Sequence, residues 1–317
     1  MQSSAPQDSL TTPRFCGVPS FMRLPLAADA EGLDVALIGL PSDNGSPFRT
    51  GARFGPNAIR AMSVMLRPIN PYRGHLDVFA ALRVADLGDA PVVPGYQEAT
   101  IAALESALAP IVAAGAVPLA LGGDHSVSLP ALRALGKRRG KMALVHFDSH
   151  TDTWDSYFGA RRYSAGTPFR RAVEEGWIDP AHSIQIGMRG SLFRPDDVSQ
   201  SETLGYRVVT TERMFELGGP MLAHEIALRV GSLPCYLTFD LDFVDPGSAP
   251  GVQTPESGGP TAREALALLR AISGLRIAGA DVVETNPLFD GPGQVTALLA
   301  ATVAAELLAM IAAARAG

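Results

Sequence analysis

Three short runs of this 317-residue chain bring carboxylates and imidazoles together at spacings that suit metal binding. In LVHFDSHTDTW, Asp148, His150 and Asp152 stand two residues apart. In extended backbone such positions project to one side, so three donor groups converge. YLTFDLDFVDP repeats the device with Asp240 and Asp242, and AVPLALGGDHS sets Asp124 and His125 behind two glycines that free the backbone to turn. Four or more carboxylates in one dry place repel, and their burial is costly unless a cation neutralises them. A divalent metal resolves that conflict. Carboxylates with imidazoles and no thiolate suit a hard or borderline ion, manganese first, with nickel, cobalt or zinc as alternatives. The donors outnumber what one catalytic ion with open positions uses, so two bridged ions are expected. Aspartates that merely cap or turn would explain any one run, but not all three.

Such groups need elements that end side by side. Apolar, β-branched runs recur at 34–40, 82–88, 116–123, 142–148, 183–190, 206–210, 235–242 and 277–284, which suggests eight strands. Helical patterns lie between or after them at 96–114, 127–138, 219–231, 261–273 and 293–315. Near-continuous apolar strands alternating with helices indicate a parallel sheet covered on both faces, an α/β fold whose ligands bind at the carboxyl ends of strands. An eight-stranded barrel competes, because spacing alone does not exclude it. No linker or composition shift divides the chain, so residues 1–317 read as one domain, with residues 1–20 as a mobile N-terminal arm.

Composition narrows the partners. The formal net charge is −6, from 26 Lys and Arg against 32 Asp and Glu, and the longest basic run is KRR at 137–139. That is no footprint for nucleic acid, and it matches a small cation better. Cys16 and Cys235 form neither a disulfide framework nor a metal knuckle, which fits a reducing cytoplasm, and no secretory leader is evident. The stretch VTALLAATVAAELLAMIAAA approaches a membrane span in length but carries Glu306 in its middle. It reads as a buried or subunit-facing helix, with no membrane partner.

The same residues carry a resemblance. GGDHS, FDSHTDTWD and TFDLDFVDPGSAPGVQTPESGG are similar to the three signature blocks of the ureohydrolase family, which includes arginase, agmatinase, guanidinobutyrase and proclavaminate amidinohydrolase. The likeness is strongest to the agmatinase branch and spans nearly the whole chain, through FMRLP, RTGARFGPNAIR, GTPFRRAVEEGWID, IGMRG and DVVETNP. It implies a three-layer αβα fold with a central, mostly parallel eight-stranded sheet, and hydrolysis of a guanidino carbon–nitrogen bond. It also implies two divalent ions per chain, usually manganese, held by His125, Asp148, His150, Asp152, Asp240 and Asp242. These would share a water and lower its pKa, so that hydroxide attacks the guanidinium carbon. By the same resemblance Glu284 pairs with the guanidinium, Asp152 takes part in catalysis, and the chain forms a homo-oligomer, a trimer or hexamer.

The chain departs from that pattern at YSAGTPF, where the agmatinase branch has a proton-shuttling histidine and this sequence has Ala165. Three explanations stand: an engineered His to Ala change; a natural enlargement of the pocket for a bulkier substrate; or a low-activity subunit partnering an active paralogue. In the second, the leaving-group proton comes from Asp152, a water, Tyr163 or Ser164. Val252 and Gln253 replace a small Thr-Gly, and Trp154 replaces a frequent tyrosine, which favours a changed pocket rim and the natural reading. Asn44 and Ser46 are candidate substrate contacts on an early loop. His146 reads as a hydrogen-bonded core imidazole, His75, His182 and His224 as surface groups, and Arg170 and Arg171 as a solvated helix face. The substrate is expected to be a small cationic guanidino compound. It is of the agmatine or guanidinobutyrate type, or, given Ala165 and Gln253, guanidine, an N-alkylguanidine or a biguanide such as metformin, for which nickel suits. Formiminoglutamate hydrolysis is disfavoured by the agmatinase likeness.

Overall fold

Strands that are apolar at every position must be covered on both faces. The computed structural model, which describes residues 5–316, meets that demand with eight parallel strands, each overlapping a stretch expected from the sequence. They are β1 (Val35–Leu40), β2 (Val84–Asp89), β3 (Val117–Gly122), β4 (Ala143–Phe147), β5 (Ile184–Met188), β6 (Arg207–Thr210), β7 (Cys235–Asp240) and β8 (Ile277–Val283). Their order across the sheet is β2-β1-β3-β8-β7-β4-β5-β6. The sheet is open, with β2 and β6 at its edges, which excludes the barrel. A two-stranded antiparallel ladder, Ile69–Asn70 with Leu76–Asp77, stands apart from it.

The principal helices are α1 (Gly55–Ser63), α2 (Gln97–Ala113), α3 (Ser128–Arg139), α4 (Pro168–Glu174), α5 (Thr211–Val230), α6 (Ala262–Ala271) and α7 (Val295–Ala316). Alternation along the strands divides the apolar residues into two cores: Val35 and Leu37 of β1 enter one, and Ala36, Ile38 and Leu40 the other. The first core is closed by α1, α5, α6 and α7, and the second by α2, α3 and α4, giving the three-layer αβα arrangement. Helix α5 starts eight residues before the expected 219, capped where Arg213 N donates to Thr210 Oγ1 at 3.3 Å. Its first half is hidden in the sequence because Gly218, at φ 68°, breaks the helix and Gly219-Pro220 reads as a stop.

Helix α7 is long and apolar enough to cross a membrane by length and composition, yet 72% of its most apolar window is buried in the fold. Glu306 is satisfied inside, accepting from Arg270 Nε at 2.7 Å and Asn70 Nδ2 at 3.0 Å. The N-terminal arm differs from expectation too. Residues 1–4 lie outside the described residues, but 7–13 wrap the guanidinium of buried Arg23, which donates to the carbonyls of Gln7, Thr12 and Pro13 at 2.8, 3.1 and 3.0 Å. A buried fork of N–H donors requires acceptors, and the arm supplies them.

The last two strands, β7 and β8, insert between β3 and β4. All three carboxylate-bearing runs and DVVETNP therefore leave four adjacent strands at one end of the sheet. On the opposite side of β3, Arg60 of α1 clamps the edge: its Nε and Nη2 donate to Asp86 Oδ2 and Oδ1 at 2.8 and 2.9 Å, both side chains being buried. Asp86→Ala leaves that guanidinium with one fewer counter-charge in a dry place and is expected to cost about 3–5 kcal/mol of unfolding free energy in urea denaturation.

Candidate metal and substrate site

The turn after β3 is tight. A Cβ at Gly123 would sit 1.8 Å from the Ser42 carbonyl oxygen, so only glycine lets the two backbones meet. Asp124 then fastens the loop: Oδ2 accepts from Gly45 N at 2.7 Å and Oδ1 from Ser126 N at 3.0 Å. Burial pushes its carboxyl up to about 6 against those hydrogen bonds. Asp124 thus shapes the turn that aims His125. Two other residues here hold left-handed backbone without being glycine, Asp152 at φ 51° and Glu284 at φ 65°. Such conformations are uncommon and persist where surrounding structure enforces them.

Around His125 Nδ1 lie Asp152 Oδ2 at 2.9 Å, Asp148 Oδ2 at 3.0 Å and Asp240 Oδ2 at 3.0 Å. Despite that proximity this buried nitrogen makes no well-directed hydrogen bond. The opposite nitrogen, Nε2, faces Thr238 Oγ1 at 2.8 Å. With Nε2 turned to a hydroxyl that can accept its proton, Nδ1 can present a lone pair among three carboxylate oxygens, the donor set of a cation. A second group adjoins it: His150 Nδ1 lies 3.4 Å from Asp148 Oδ1 and 3.2 Å from Asp242 Oδ2. Asp148 offers one oxygen to each group, the disposition of a bridging carboxylate. Five residues of these two groups, together with His146, fall into two clusters of potential metal ligands that share Asp148, and Asp240 joins the first through its Oδ2. The residues fit two divalent ions.

Electrostatics lead to the same demand. Burial alone lowers the His125 imidazole, but Asp148, Asp152 and Asp240 hold it well above its ordinary range. Burial also lowers His150, and Asp242 and Asp148 outweigh it and hold this imidazole well above its ordinary range too. Burial and the charges of Asp242 and Asp148 lift Asp240 far above the usual carboxylate range. Glu284 is lifted likewise by burial and by Asp124. Among the described residues the ion-pair partners of Asp148, Asp152, Asp240 and Asp242 are histidines, never Lys or Arg. Three imidazoles, those of His125, His146 and His150, cannot balance the five carboxylates of Asp148, Asp152, Asp240, Asp242 and Glu284.

Glu284 accepts from His125 N at 2.7 Å on Oε1 and from Gln253 Nε2 at 2.7 Å on Oε2. It lines a small pocket together with Asp152, Asp240, Asp242, His150, Trp154 and Ala165. Ala165 therefore faces the reacting end of the site. Trp154 stands on the rim, and Gln253 lies buried behind Glu284 with its Oε1 unpartnered.

Several expectations need correction. Asn44 is not in the pocket lining; its amide spans the loop at 93–100, donating to Val93 O at 3.1 Å and Thr100 Oγ1 at 3.0 Å and accepting from Gly95 N at 3.0 Å. The Asn-Gly pair is turn chemistry, with the side chain used as a brace. Val252 is core rather than rim. Tyr163 turns toward Arg133, whose guanidinium lies 5.7 Å from its ring, and Ser164 bonds within its own turn to Thr167, so neither hydroxyl lines the pocket. Arg171, expected on a solvated face, is 1% exposed and anchors Asp155 at 2.8 Å, beside Trp154. Burial of that fork beneath α4 depends on how the 153–155 loop returns, which a helical pattern does not show.

Reading by motif also overlooked the residues that hold the site in place. His146 Nε2 donates to Asp148 Oδ2 at 2.7 Å while its Nδ1 faces Gln185 Nε2 at 3.0 Å, a core imidazole as expected but one that orients Asp148. Thr238 stands in the same relation to β7 as His146 does to β4, two residues before the aspartate that ends the strand. Arg189 ties the Asp242 and Glu256 loops together through their carbonyl oxygens, at 2.7 and 2.8 Å from Nη2. Tyr157 lines the pocket beside Trp154, and its hydroxyl is pushed up to about 12 by burial and by Asp152 and Asp197.

Fold and site together define a three-layer αβα protein whose acidic, metal-ligand-rich centre lies at the carboxyl ends of four neighbouring strands. The arginase family profile matches residues 33–310, and the chain belongs to the arginase family, in its agmatinase-like branch. It is 46% identical over 307 residues to guanidinopropionase of Pseudomonas aeruginosa, covering 97% of this chain and 96% of that protein. It is 44% identical to the human mitochondrial guanidino acid hydrolase, covering 96% and 87%. The solved structure of proclavaminate amidinohydrolase from Streptomyces clavuligerus superposes with a TM-score of 0.91 at 42% identity, covering 96% of this chain and all of that one.

Asp148→Asn removes the anionic group shared by both halves of the site. It is expected to abolish turnover and to lower the bound divalent metal, measured by elemental analysis of dialysed protein, by about one ion per chain or more. Normal metal content with full activity would remove the dinuclear assignment.

Proposed function

We propose that this chain hydrolyses a guanidino carbon–nitrogen bond in a small cationic guanidino compound. The observation that carries the reading is Glu284, a buried carboxylate that has no ion-pair partner among the described residues, sharing one small pocket with His150, Asp152, Asp240 and Asp242. A guanidinium supplies the missing positive charge, and its planar fork of N–H groups suits the free lone pairs of the carboxylate. His125 N and Gln253 Nε2 hold Glu284 from behind, which fixes where the guanidinium carbon sits.

His125, Asp148, His150, Asp152, Asp240 and Asp242 would hold two divalent ions, manganese by family resemblance or nickel. Such ions, when bound, acidify water so that hydroxide forms near neutral pH. The bond from the water oxygen to the guanidinium carbon forms, the carbon–nitrogen bond breaks, and the leaving amine departs with a proton, yielding urea or a substituted urea. With alanine at 165, the proton carrier in reach is Asp152, which lines the pocket and whose pKa is raised by burial and by Asp148. The space at Ala165 favours a substrate substituted near the reacting nitrogen, an N-alkylguanidine or biguanide. The same alanine also supports a second reading, a slow subunit working beside an active paralogue.

Two substitutions test this. Glu284→Gln is expected to lower kcat/KM by about a hundredfold or more with metal content retained, because it removes the charge facing the guanidinium but no ligand. Ala165→His fills the pocket beside Trp154 and is expected to lower turnover of an N-substituted guanidine. A gain of about two to four orders of magnitude on a linear guanidino substrate would instead show that the site lacks only a proton shuttle.

A further inference from the structure

Behind the metal-binding run that follows β4 lies a buried polar chain that no step of the proposed hydrolysis uses. His146 and Gln185 are register partners on β4 and β5. Both are fully buried, as is Ser201 on the short helix Ser199–Thr203. Gln185 is the one polar side chain of its strand, IQIGM. Its Nε2 lies 2.6 Å from the Thr151 carbonyl oxygen and 3.0 Å from His146 Nδ1, and its Oε1 accepts from Ser201 Oγ. A buried amide whose oxygen and both N–H groups are engaged is held in one orientation.

The proton positions follow from one acceptor. A carbonyl oxygen only accepts, so the amide atom facing Thr151 is the nitrogen, a donor with no lone pair to offer. His146 Nδ1, beside that same nitrogen, must then accept its second N–H. The imidazole proton is thereby placed on Nε2, which donates to Asp148 Oδ2 at 2.7 Å. That carboxylate oxygen is the one facing His125 Nδ1 at 3.0 Å. Thr151 stands between two other ligands, His150 and Asp152, and its carbonyl begins the peptide that leads into the left-handed backbone of Asp152, φ 51°. One amide therefore holds the run twice: it aims Asp148 through His146, and it anchors the peptide that carries Asp152.

From this geometry, and resting on the two-ion reading of the site, we infer that Gln185 is a positioning residue for the metal centre and that Ser201 sets its orientation. Gln185 bonds to none of the six ligands itself. It acts through His146 and Thr151, so its contribution appears in how tightly the ions are held. Partners that orient metal ligands in this way typically contribute about 10- to 100-fold in metal affinity. A packing role alone would be met by an apolar side chain of equal length.

Binding of Mn²⁺ alone to the metal-stripped full chain, measured by competition with a chelating indicator dye, tests this without turnover. Gln185→Met keeps the length of the side chain and removes the amide, and is expected to raise the Mn²⁺ dissociation constant about tenfold or more. Ser201→Ala leaves the amide in place without its orienting hydroxyl, and about a threefold rise is expected. Electron paramagnetic resonance adds a signature of geometry: the spin-coupled signal of a bridged pair in the unaltered chain gives way to separate ions in Gln185→Met. Asp86→Ala, which loosens the sheet at β2 outside this chain of contacts, is expected to leave the dissociation constant unaltered while lowering stability. Unchanged Mn²⁺ affinity in both Gln185→Met and Ser201→Ala would overturn the positioning role, and so would an equal weakening in Asp86→Ala. If Gln185→Met does not fold, Ser201→Ala decides alone. Failure of the unaltered chain to bind Mn²⁺ would instead sink the two-ion reading, and the positioning role with it.

Discussion

Mutual repulsion among buried carboxylates is the constraint on which the rest of this structure depends. Asp148, Asp152, Asp240, Asp242 and Glu284 are all buried at one end of the sheet. Among the described residues no Lys or Arg forms an ion pair with these carboxylates. The fold provides neutral or weakly charged donors instead: Ser149 Oγ to Asp242 at 2.7 Å, Thr254 Oγ1 to Asp242 at 3.2 Å, His146 to Asp148, Gln253 to Glu284, and backbone N–H groups throughout. Hydrogen bonds of this kind orient carboxylates and disperse their charge without cancelling it. The cancelling charge is left to metal ions and to substrate, which couples binding of both to the stability of the centre.

That arrangement explains features that look unfavourable in isolation. Asp152 and Glu284 adopt left-handed backbone at the ends of their loops, and β3 closes so tightly on Ser42 that only glycine fits at 123. Each puts a side chain on a shared point that regular strand geometry would miss. The cost is carried by the two apolar cores and by clamps remote from the pocket, such as Arg60 on Asp86 and Arg270 on Glu306.

Two connected chambers divide the work. The inner one, with Glu284 and the metal-binding residues, is built for one planar cation; the outer one, a cavity of about 480 Å³ with Trp154, Tyr157 and Phe193 in its walls, meets whatever that cation is attached to. Ala165 stands in the inner chamber, in one lining with Asp152, Trp154 and Glu284.

The eight strands were legible in the sequence because burial on both faces leaves continuous apolar runs. His125, Asp148, His150, Asp152, Asp240 and Asp242 stood out in the sequence as clustered carboxylates and imidazoles just past apolar runs, whereas the left-handed turn at Asp152 did not. Those are local properties, set by neighbours one to four residues away. Tertiary structure alone decided what depends on distant segments: that β7 and β8 slot between β3 and β4, that Gln253 backs Glu284 from 31 residues away, and that Asn44 braces the 93–100 loop instead of touching the pocket. The fate of Arg171 was decided in the same way, since a solvated helix face and a buried anchor read alike until the chain that covers them has returned. Local spacing determines which groups point together; only packing determines what they point at.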